Sequence, residues 1–362
     1  MEDFLIIRRA TLKDKKIIFD FIKKVYHNWE SIIPDRWNWL YVINPYIVEG
    51  KLPIWIALDD TENVIGQICS MLEPLKIGDQ EYICSLGVDY YVFQSYRGQG
   101  IGKNLLIIKD YIMFMAISMS QTTRYIHKSL GFYTVTDIYY YYLNLNEHSL
   151  YNIVRRNNIG RFFINCTLFK NFCKFLARLT NKWLGYKRKR NKIDLEGLCF
   201  VPISHIGKQF DTLWEQISVE FDCAVIRNCT YLNWKYAQQP NVKYNIFLAK
   251  VKGKVVGYMI LRKRQQLDMT RGIIVDFLFS TKKEKMILAG INFAIDYFLD
   301  QGITDIRVAT SVNDYAKCLK KMGFPWPISK AKPLFQSNIP IDNKKIVNAK
   351  WLLSYGDHDQ QQ

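Results

Sequence analysis

A chain of 362 residues is about twice the usual length of one folded unit, so two domains of roughly 150 to 180 residues are expected. Its 49% hydrophobic, 15% aromatic and 23% charged residues supply ample apolar surface for packed cores, which excludes global disorder. The formal net charge of +17 is concentrated: residues 151–200 hold 12 Lys and Arg against Asp194 and Glu196, a net +10, leaving +7 for all the rest, and so local a charge argues against a duplex-binding surface.

In chain order the first half reads as a strand over 4–8, a helix over 12–26, a short helix over 37–42, and three strands ending at Phe93. A helix from Gly98, a strand over 113–119, a helix over 122–130 and a tyrosine-rich strand over 134–143 follow. The longest run free of Asp, Glu, Lys and Arg spans 13 residues, 111–123. That is short of the roughly 20 that cross a bilayer, and the start Met1-Glu2-Asp3 lacks the basic residues of a secretory signal, so a cytoplasmic location is expected. The eight cysteines (69, 84, 166, 173, 199, 223, 229 and 318) show no metal-ligand spacing, and no metal is expected.

Residues 151–197 form a basic connector. Phe169, Phe172, Leu176, Leu179 and Trp183 fall on one helical face, and Lys170, Lys174, Arg178 and Lys182 on the opposite one, before the cluster Lys187-Arg188-Lys189-Arg190. Such a helix suits packing between domains, docking on an anionic membrane surface at its inner face, or an acidic partner such as a peptide or an acyl carrier protein. Nucleic acid is not expected here, because base stacking would need aromatics beside the basic residues and Trp183 and Tyr186 are only weak candidates for it.

The second half, 198–353, repeats the first. Asn38-Trp39-Leu40-Tyr41 with Pro45 recurs as Asn233-Trp234-Lys235-Tyr236 with Pro240, Val88-Asp89 answers Val275-Asp276, and Lys128-Ser129-Leu130-Gly131-Phe132 answers Lys320-Lys321-Met322-Gly323-Phe324. Two copies of one α/β domain are expected, with residues 354–362 as a polar, frayed tail.

One segment carries chemistry. Val92-Phe93-Gln94-Ser95-Tyr96-Arg97-Gly98-Gln99-Gly100-Ile101-Gly102-Lys103 places a strand, a turn with three glycines and an apolar helix in succession. Glycines admit close approach of a ligand, and the first N–H groups of the helix attract an anion. The glycine spacing matches neither a nucleotide P-loop nor a dinucleotide fingerprint.

These residues resemble the GNAT superfamily of acyl-CoA-dependent N-acyltransferases. Arg97-x-x-Gly100-x-Gly102 resembles its pyrophosphate loop, Val92 and Tyr96 match its lead-in apart from Gln94 in place of the usual proline, and Lys128 to Phe132 resembles its terminal Lys-x-x-Gly-Phe. The resemblance implies an α+β fold of two tandem domains, each a mixed, mostly antiparallel sheet flanked by helices. Residues 1–150 would be catalytic, and 198–353 a degenerate copy that shapes the acceptor site. It further implies an acyl-CoA cosubstrate, acetyl or longer, whose pantetheine arm runs along Tyr91, Val92 and Phe93 and whose pyrophosphate lies on Arg97, Gly98, Gln99, Gly100, Ile101, Gly102 and Lys103. The acceptor would be a primary amine on a small molecule, an amino sugar or a peptide Lys or ornithine.

Many members of the superfamily carry a proton-donating tyrosine four residues before the terminal glycine; here that position is His127, with Tyr125 as the alternative donor. Asp89 is the expected base, although Asp276 at the matching place in the other half is equally consistent with a structural carboxylate. Glu81 begins the same strand, and Cys84 lacks a visible activating partner. The competing class is a non-catalytic acyl-CoA-binding or scaffold protein.

Overall fold

The computed structural model of the protein describes residues 5–26, 31–107, 111–144, 167–191, 193, 195–266, 269–303, 305–325 and 327–357. Strand β1 is Ile6–Arg9. Thr11 then donates to Asp14 through its amide at 2.8 Å and its hydroxyl at 2.9 Å, which starts helix α1, Lys15–Val25, whose Ile18, Phe21 and Ile22 are buried at helical spacing. Helix α2 is Ile33–Tyr41, with a proline in its first turn. Then come β2 (Ile54–Leu58), β3 (Val64–Ile77), β4 (Gln80–Val92), α3 (Ile101–Ile107), β5 (Met113–Ala116), α4 (Gln121–Ser129), β6 (Tyr133–Thr134) and β7 (Ile138–Asn144). Helix α5 is Thr167–Asn191.

The second half continues as β8 (Leu198–Ile203), α6 (Gln209–Ser218), β9 (Cys223–Val225), α7 (Cys229–Leu232), β10 (Tyr244–Val251), β11 (Lys254–Gln266), β12 (Met269–Phe279), α8 (Glu284–Leu299) and β13 (Asp305–Thr310). It ends with α9 (Asn313–Lys321), β14 (Ser329–Ala331), β15 (Leu334–Ser337), α10 (Asn343–Val347) and β16 (Trp351–Leu352).

Two sheets follow one plan. In the first, β1, β2, β3 and β4 are antiparallel and β5 joins β4 in parallel. In the second, β8, β10, β11 and β12 are antiparallel and β13 joins β12 in parallel. Each sheet is then continued by a strand from the other half. β15 lies between β5 and β6 in the first sheet, and β7 lies between β13 and β14 in the second. β9 pairs with the far end of β3, and β16 with β9. The division at 150 and 198 read from sequence therefore does not separate the sheets, because β7 and β15 have exchanged. One hydrophobic core runs through both halves, and a second, smaller one around Trp55, Ile101, Leu105 and Phe114 lies in the first sheet.

Both expected helix stops are present. Phe132 N donates to His127 O at 3.2 Å and Phe324 N to Leu319 O at 3.0 Å, with Gly131 and Gly323 at φ 88° and 98°. The expected tail is corrected at its start: Ser354 N donates to Asp357 Oδ2 at 2.6 Å, Arg227 Nη2 donates to the same oxygen at 2.7 Å, and both Ser354 and Asp357 are buried. Two partners hold that carboxylate inside the fold; residues 358–362 lie outside the described residues.

In α5 the apolar row is not packed between the halves, for Phe172, Leu176, Leu179 and Trp183 are all exposed. The end of the helix is tied down by Asn191, which donates to Lys321 O at 3.1 Å. The side chains of Phe169 and Lys170, and residues 151–166, lie outside the described residues.

Candidate active site

β4 and β5 pair only at Cys84–Met113, Ser85–Phe114 and Leu86–Met115. Beyond Leu86 they part, and the stretch 87–92 of β4 and Ser118, Met119 and Ser120 after β5 line a cleft of about 1480 Å³. Opposite β3, β4 carries a bulge: Val88 pairs with Cys69 and Tyr91 with Gln67, so Asp89 and Tyr90 together face Ile68. Asp89 sits at the bulge with φ 48°, a left-handed conformation that costs a non-glycine residue roughly 1–3 kcal/mol. The extra residue twists the strand and presents Asp89 to the cleft.

The glycine turn follows directly. Gly98 and Gly100 have φ 89° and 80°, and a Cβ on either would meet nothing within 4 Å, so the turn leaves open space where a ligand can approach. At Gly102 a Cβ would stand 2.5 Å from the Tyr90 hydroxyl, so this position is closed to larger residues by packing. Tyr91, Val92, Arg97, Gly98, Gly100, Ile101, Gly102 and Lys103 all line the cleft. Two expected residues do not: Phe93 packs on Phe21, ring centroids 4.7 Å apart, and Gln99 is exposed. The Arg97 side chain turns back on its own strand, Nε donating to Val92 O at 3.0 Å and the guanidinium lying 5.1 Å from the Tyr91 ring. That contact pins the turn to the end of β4. The cradle thus fits an acyl-CoA pyrophosphate through its backbone and Lys103.

Asp89 is ion-paired with Arg36 of α2, and both residues border the cleft. His127 is placed elsewhere. Thr122, Thr123 and Ile126 take the cleft side of α4, and His127 is 2% exposed against Phe132, Phe114 and Tyr90, at centroid distances of 4.8, 6.1 and 6.2 Å. Its Nδ1 donates to Thr123 O at 2.8 Å, a carbonyl that can only accept, so the neutral ring carries no proton on Nε2. Burial, with Arg124 nearby, holds the imidazole below its ordinary pKa against the pull of the Thr123 carbonyl. Tyr125 is 76% exposed and outside the cleft lining. Burial raises the Cys84 thiol, and Glu81 is exposed at the start of β4. Among the described residues no group of three His, Cys, Asp or Glu is placed to hold a metal ion.

Sequence reading missed Arg36, Tyr90 and the facing wall. Arg264, Arg271, Ile273, Arg307 and Tyr355 of the second half line the same cleft. Their separations in sequence follow no motif, and only strand pairing assembles them.

The second half closes its own version of the slot. Tyr315 of α9 donates its hydroxyl to Phe279 O at 2.5 Å and accepts from Phe279 N at 3.1 Å, so the end of β12 is bonded internally. In the turn that follows, Glu220 accepts from Ser280 Oγ at 2.5 Å, Thr281 N at 2.7 Å and Thr281 Oγ1 at 2.6 Å. A carboxylate of the chain itself thus binds the turn that follows β12. Asp276, the partner of Asp89 in the repeat, is fully buried between Arg227 and the Tyr258 hydroxyl.

No protein-family model matches the sequence, and no curated protein matches it. Solved structures do. A GCN5-related N-acetyltransferase from Anabaena variabilis superposes with TM-score 0.60 at 11% identity, over 92% of this chain and 72% of the other. A protein of unknown function from Enterococcus faecalis, described as a probable N-acyltransferase, gives 0.58 at 12% identity over 92% and 72%. N-myristoyltransferase from Saccharomyces cerevisiae with bound myristoyl-CoA gives 0.56 at 10% identity over 91% and 82%. The chain has the GNAT fold across both halves.

Proposed function

We propose that this chain is an acyl-CoA-dependent N-acyltransferase, moving an acetyl or longer acyl group from CoA to a primary amine by direct attack. The observation that carries the reading is the parting of β4 and β5 beyond Leu86 beside the Gly98 and Gly100 turn. A strand backbone opened at one edge suits a pantetheine arm, and the glycine turn suits its pyrophosphate. Similarity in fold to an N-acetyltransferase and to a myristoyl-CoA-bound N-myristoyltransferase supports it. Residues 1–150 supply the acyl-CoA site, and the second half shapes the acceptor side.

An amine acceptor arrives mostly as its ammonium ion. The Asp89 carboxylate, fixed by Arg36, takes one proton. The nitrogen lone pair then attacks the thioester carbonyl carbon, the C–S bond breaks, and the second nitrogen proton passes to the departing sulfur, giving amide and free thiol. Because the nitrogen supplies that proton, the scheme needs no imidazolium at His127. The deciding experiment measures thiol release from acetyl-CoA and from a long-chain acyl-CoA with a panel of primary amines. Amine-dependent release that disappears in Gly100→Val supports the enzyme; tight acyl-CoA binding with no amine-dependent release returns the chain to a binding role.

Helix α5 carries exposed Phe172, Leu179 and Trp183 ahead of Lys187, Arg188, Lys189 and Arg190, an arrangement that suits peripheral docking on an anionic membrane face. Sedimentation with anionic but not zwitterionic vesicles, weakened in Trp183→Ser, tests it.

A further inference from the structure

One face of the second sheet is built from arginines. Strand register places Arg262 opposite Ile273 and Arg264 opposite Arg271, Ile273 beside Arg307, and Arg307 opposite Tyr142. Paired residues share a face, and residues two apart on a strand do also. Arg262, Arg264, Arg271 and Arg307 therefore lie on one side of β11, β12 and β13, and Arg264, Arg271 and Arg307 line the cleft. Among the described residues a carboxylate on this face is Asp305, held by Arg271 through Nε at 3.0 Å and Nη2 at 2.9 Å. The next on that face, Asp276, is taken by Arg227 and Tyr258.

Concentrated positive charge under a sheet face is costly unless something negative completes it. Arg262 is 8% and Arg271 7% exposed. Nη1 of Arg262 and Nε of Arg307 are buried without a hydrogen-bond partner among the described residues. Burial and then the neighbouring guanidinium of Arg271 hold Arg307 below its ordinary basicity, against the pull of Asp305.

We propose that this arginine face binds a carboxylate or phosphate carried by the acceptor, so that the substrate class is an amine bearing an acidic group. The inference rests on the acyl-transfer reading above and adds to it the nature of the acceptor. The glycine turn of the first half already offers the pyrophosphate a cradle, whereas the arginines come from the other sheet and line the same cleft as Asp89 and Arg36. A guanidinium fork matches a planar carboxylate or a phosphate edge in two-point fashion. Anchoring the acidic end there leaves the amine free to reach Asp89.

The test uses matched pairs of amines, butylamine against 4-aminobutyrate and ethanolamine against phosphoethanolamine, titrated calorimetrically onto the full chain loaded with a nonhydrolysable acyl-CoA. The acidic member of at least one pair should bind ten times or more tighter than its neutral counterpart. Arg307→Gln, and separately Arg264→Gln in case the first misfolds, should abolish that preference while the acyl-CoA Kd stays within about twofold. Equal binding of acidic and neutral members overturns the proposal. So does a variant that loses affinity for CoA but not for dephospho-CoA, since the face would then hold the 3′-phosphate of the cosubstrate. Binding is read without turnover, so an acidic-amine preference in a chain that releases no thiol would leave the anion site standing and sink the acyl-transfer reading instead.

Discussion

Trp39 and Trp234 bond to each other reciprocally. Trp39 Nε1 donates to Trp234 O at 2.9 Å, Trp234 Nε1 donates to Trp39 O at 2.9 Å, and the rings stack with centroids 5.2 Å apart and planes 18° from parallel. The two residues hold the same place in the repeated Asn-Trp-x-Tyr pattern, so the contact is reciprocal in sequence as well as in bonding. Trp39→Phe removes one indole donor and orphans a buried carbonyl, a loss of about 1–3 kcal/mol. Trp234→Phe should cost a similar amount. Urea unfolding of both singles and the double should show a coupling above about 0.5 kcal/mol; additive losses would mean that the reciprocity contributes nothing.

Beside the stack, Lys235 donates to Glu73 of β3 at 2.9 Å, with Tyr231 also donating to that carboxylate at 3.0 Å, and both members of the ion pair are 1% exposed at the side chain. In the first copy the matching residue is Leu40, which packs in the core. Lys235→Met leaves a buried carboxylate uncompensated and should cost about 3–5 kcal/mol, and adding Glu73→Gln should restore at least half of it. A Lys235→Met single variant as stable as the native chain would show that the pair does not tie the halves together.

The glycine turn and the glycine stops of α4 and α9 were legible in sequence because each is fixed by a local spacing. The exchange of β7 and β15 was not, since nothing in Ile138–Asn144 or Leu334–Ser337 says which sheet edge it completes; that choice is made by contacts about 170 and 220 residues away. His127 shows the same limit at the scale of one helix. Its offset from Gly131 matches the position of a proton donor, but one residue on from Ile126 is a rotation of about 100°, and here that turns the ring from the cleft into the core. Arg36 and the arginine wall carried no motif at all.

That rotation changes the expected phenotype of His127. Leucine in its place should keep kcat within about threefold. The effect should fall on stability, whose sign follows from the lowered pKa. The folded state holds the ring neutral, so its contribution is full above the unfolded value of about 6.5 and declines as the pH falls through the folded value. In His127→Leu the part of the acid-side decline that begins below about pH 6.5 should be missing, as read by thermal unfolding across pH 4 to 8. A 100-fold loss of kcat in a folded His127→Leu variant would return proton transfer to the imidazole.

Gly100 separates binding from folding. Its φ of 80° with open space around a notional Cβ means that valine strains the turn by about 1–3 kcal/mol without striking a neighbour. A pyrophosphate approaching that backbone meets the new side chain. Gly100→Val should therefore lose acyl-CoA affinity at least 100-fold while retaining its circular dichroism spectrum and cooperative unfolding. Unchanged affinity would detach the glycine turn from CoA.

On the proposed function, the same reasoning predicts one acyl-CoA per chain despite two sheets of one plan. Thr123, at the cleft in the first half, corresponds in the repeat to Tyr315, whose hydroxyl bonds both backbone groups of Phe279. Where the first half turns through glycines, the second has none at the matching positions, and Glu220 binds Ser280 and Thr281 at the start of the turn, a negative charge that repels a pyrophosphate. Tyr315 and Glu220 thus bind the end of β12 and the turn after it independently, so removing one leaves the other. Calorimetry with a nonhydrolysable acyl-CoA should give a single site, lost in Gly100→Val and unchanged in number in Glu220→Gln, because Tyr315 still closes β12. A second site in the native chain would show that a tyrosine and a carboxylate do not close the slot, and one that survives Gly100→Val would place it in the second half.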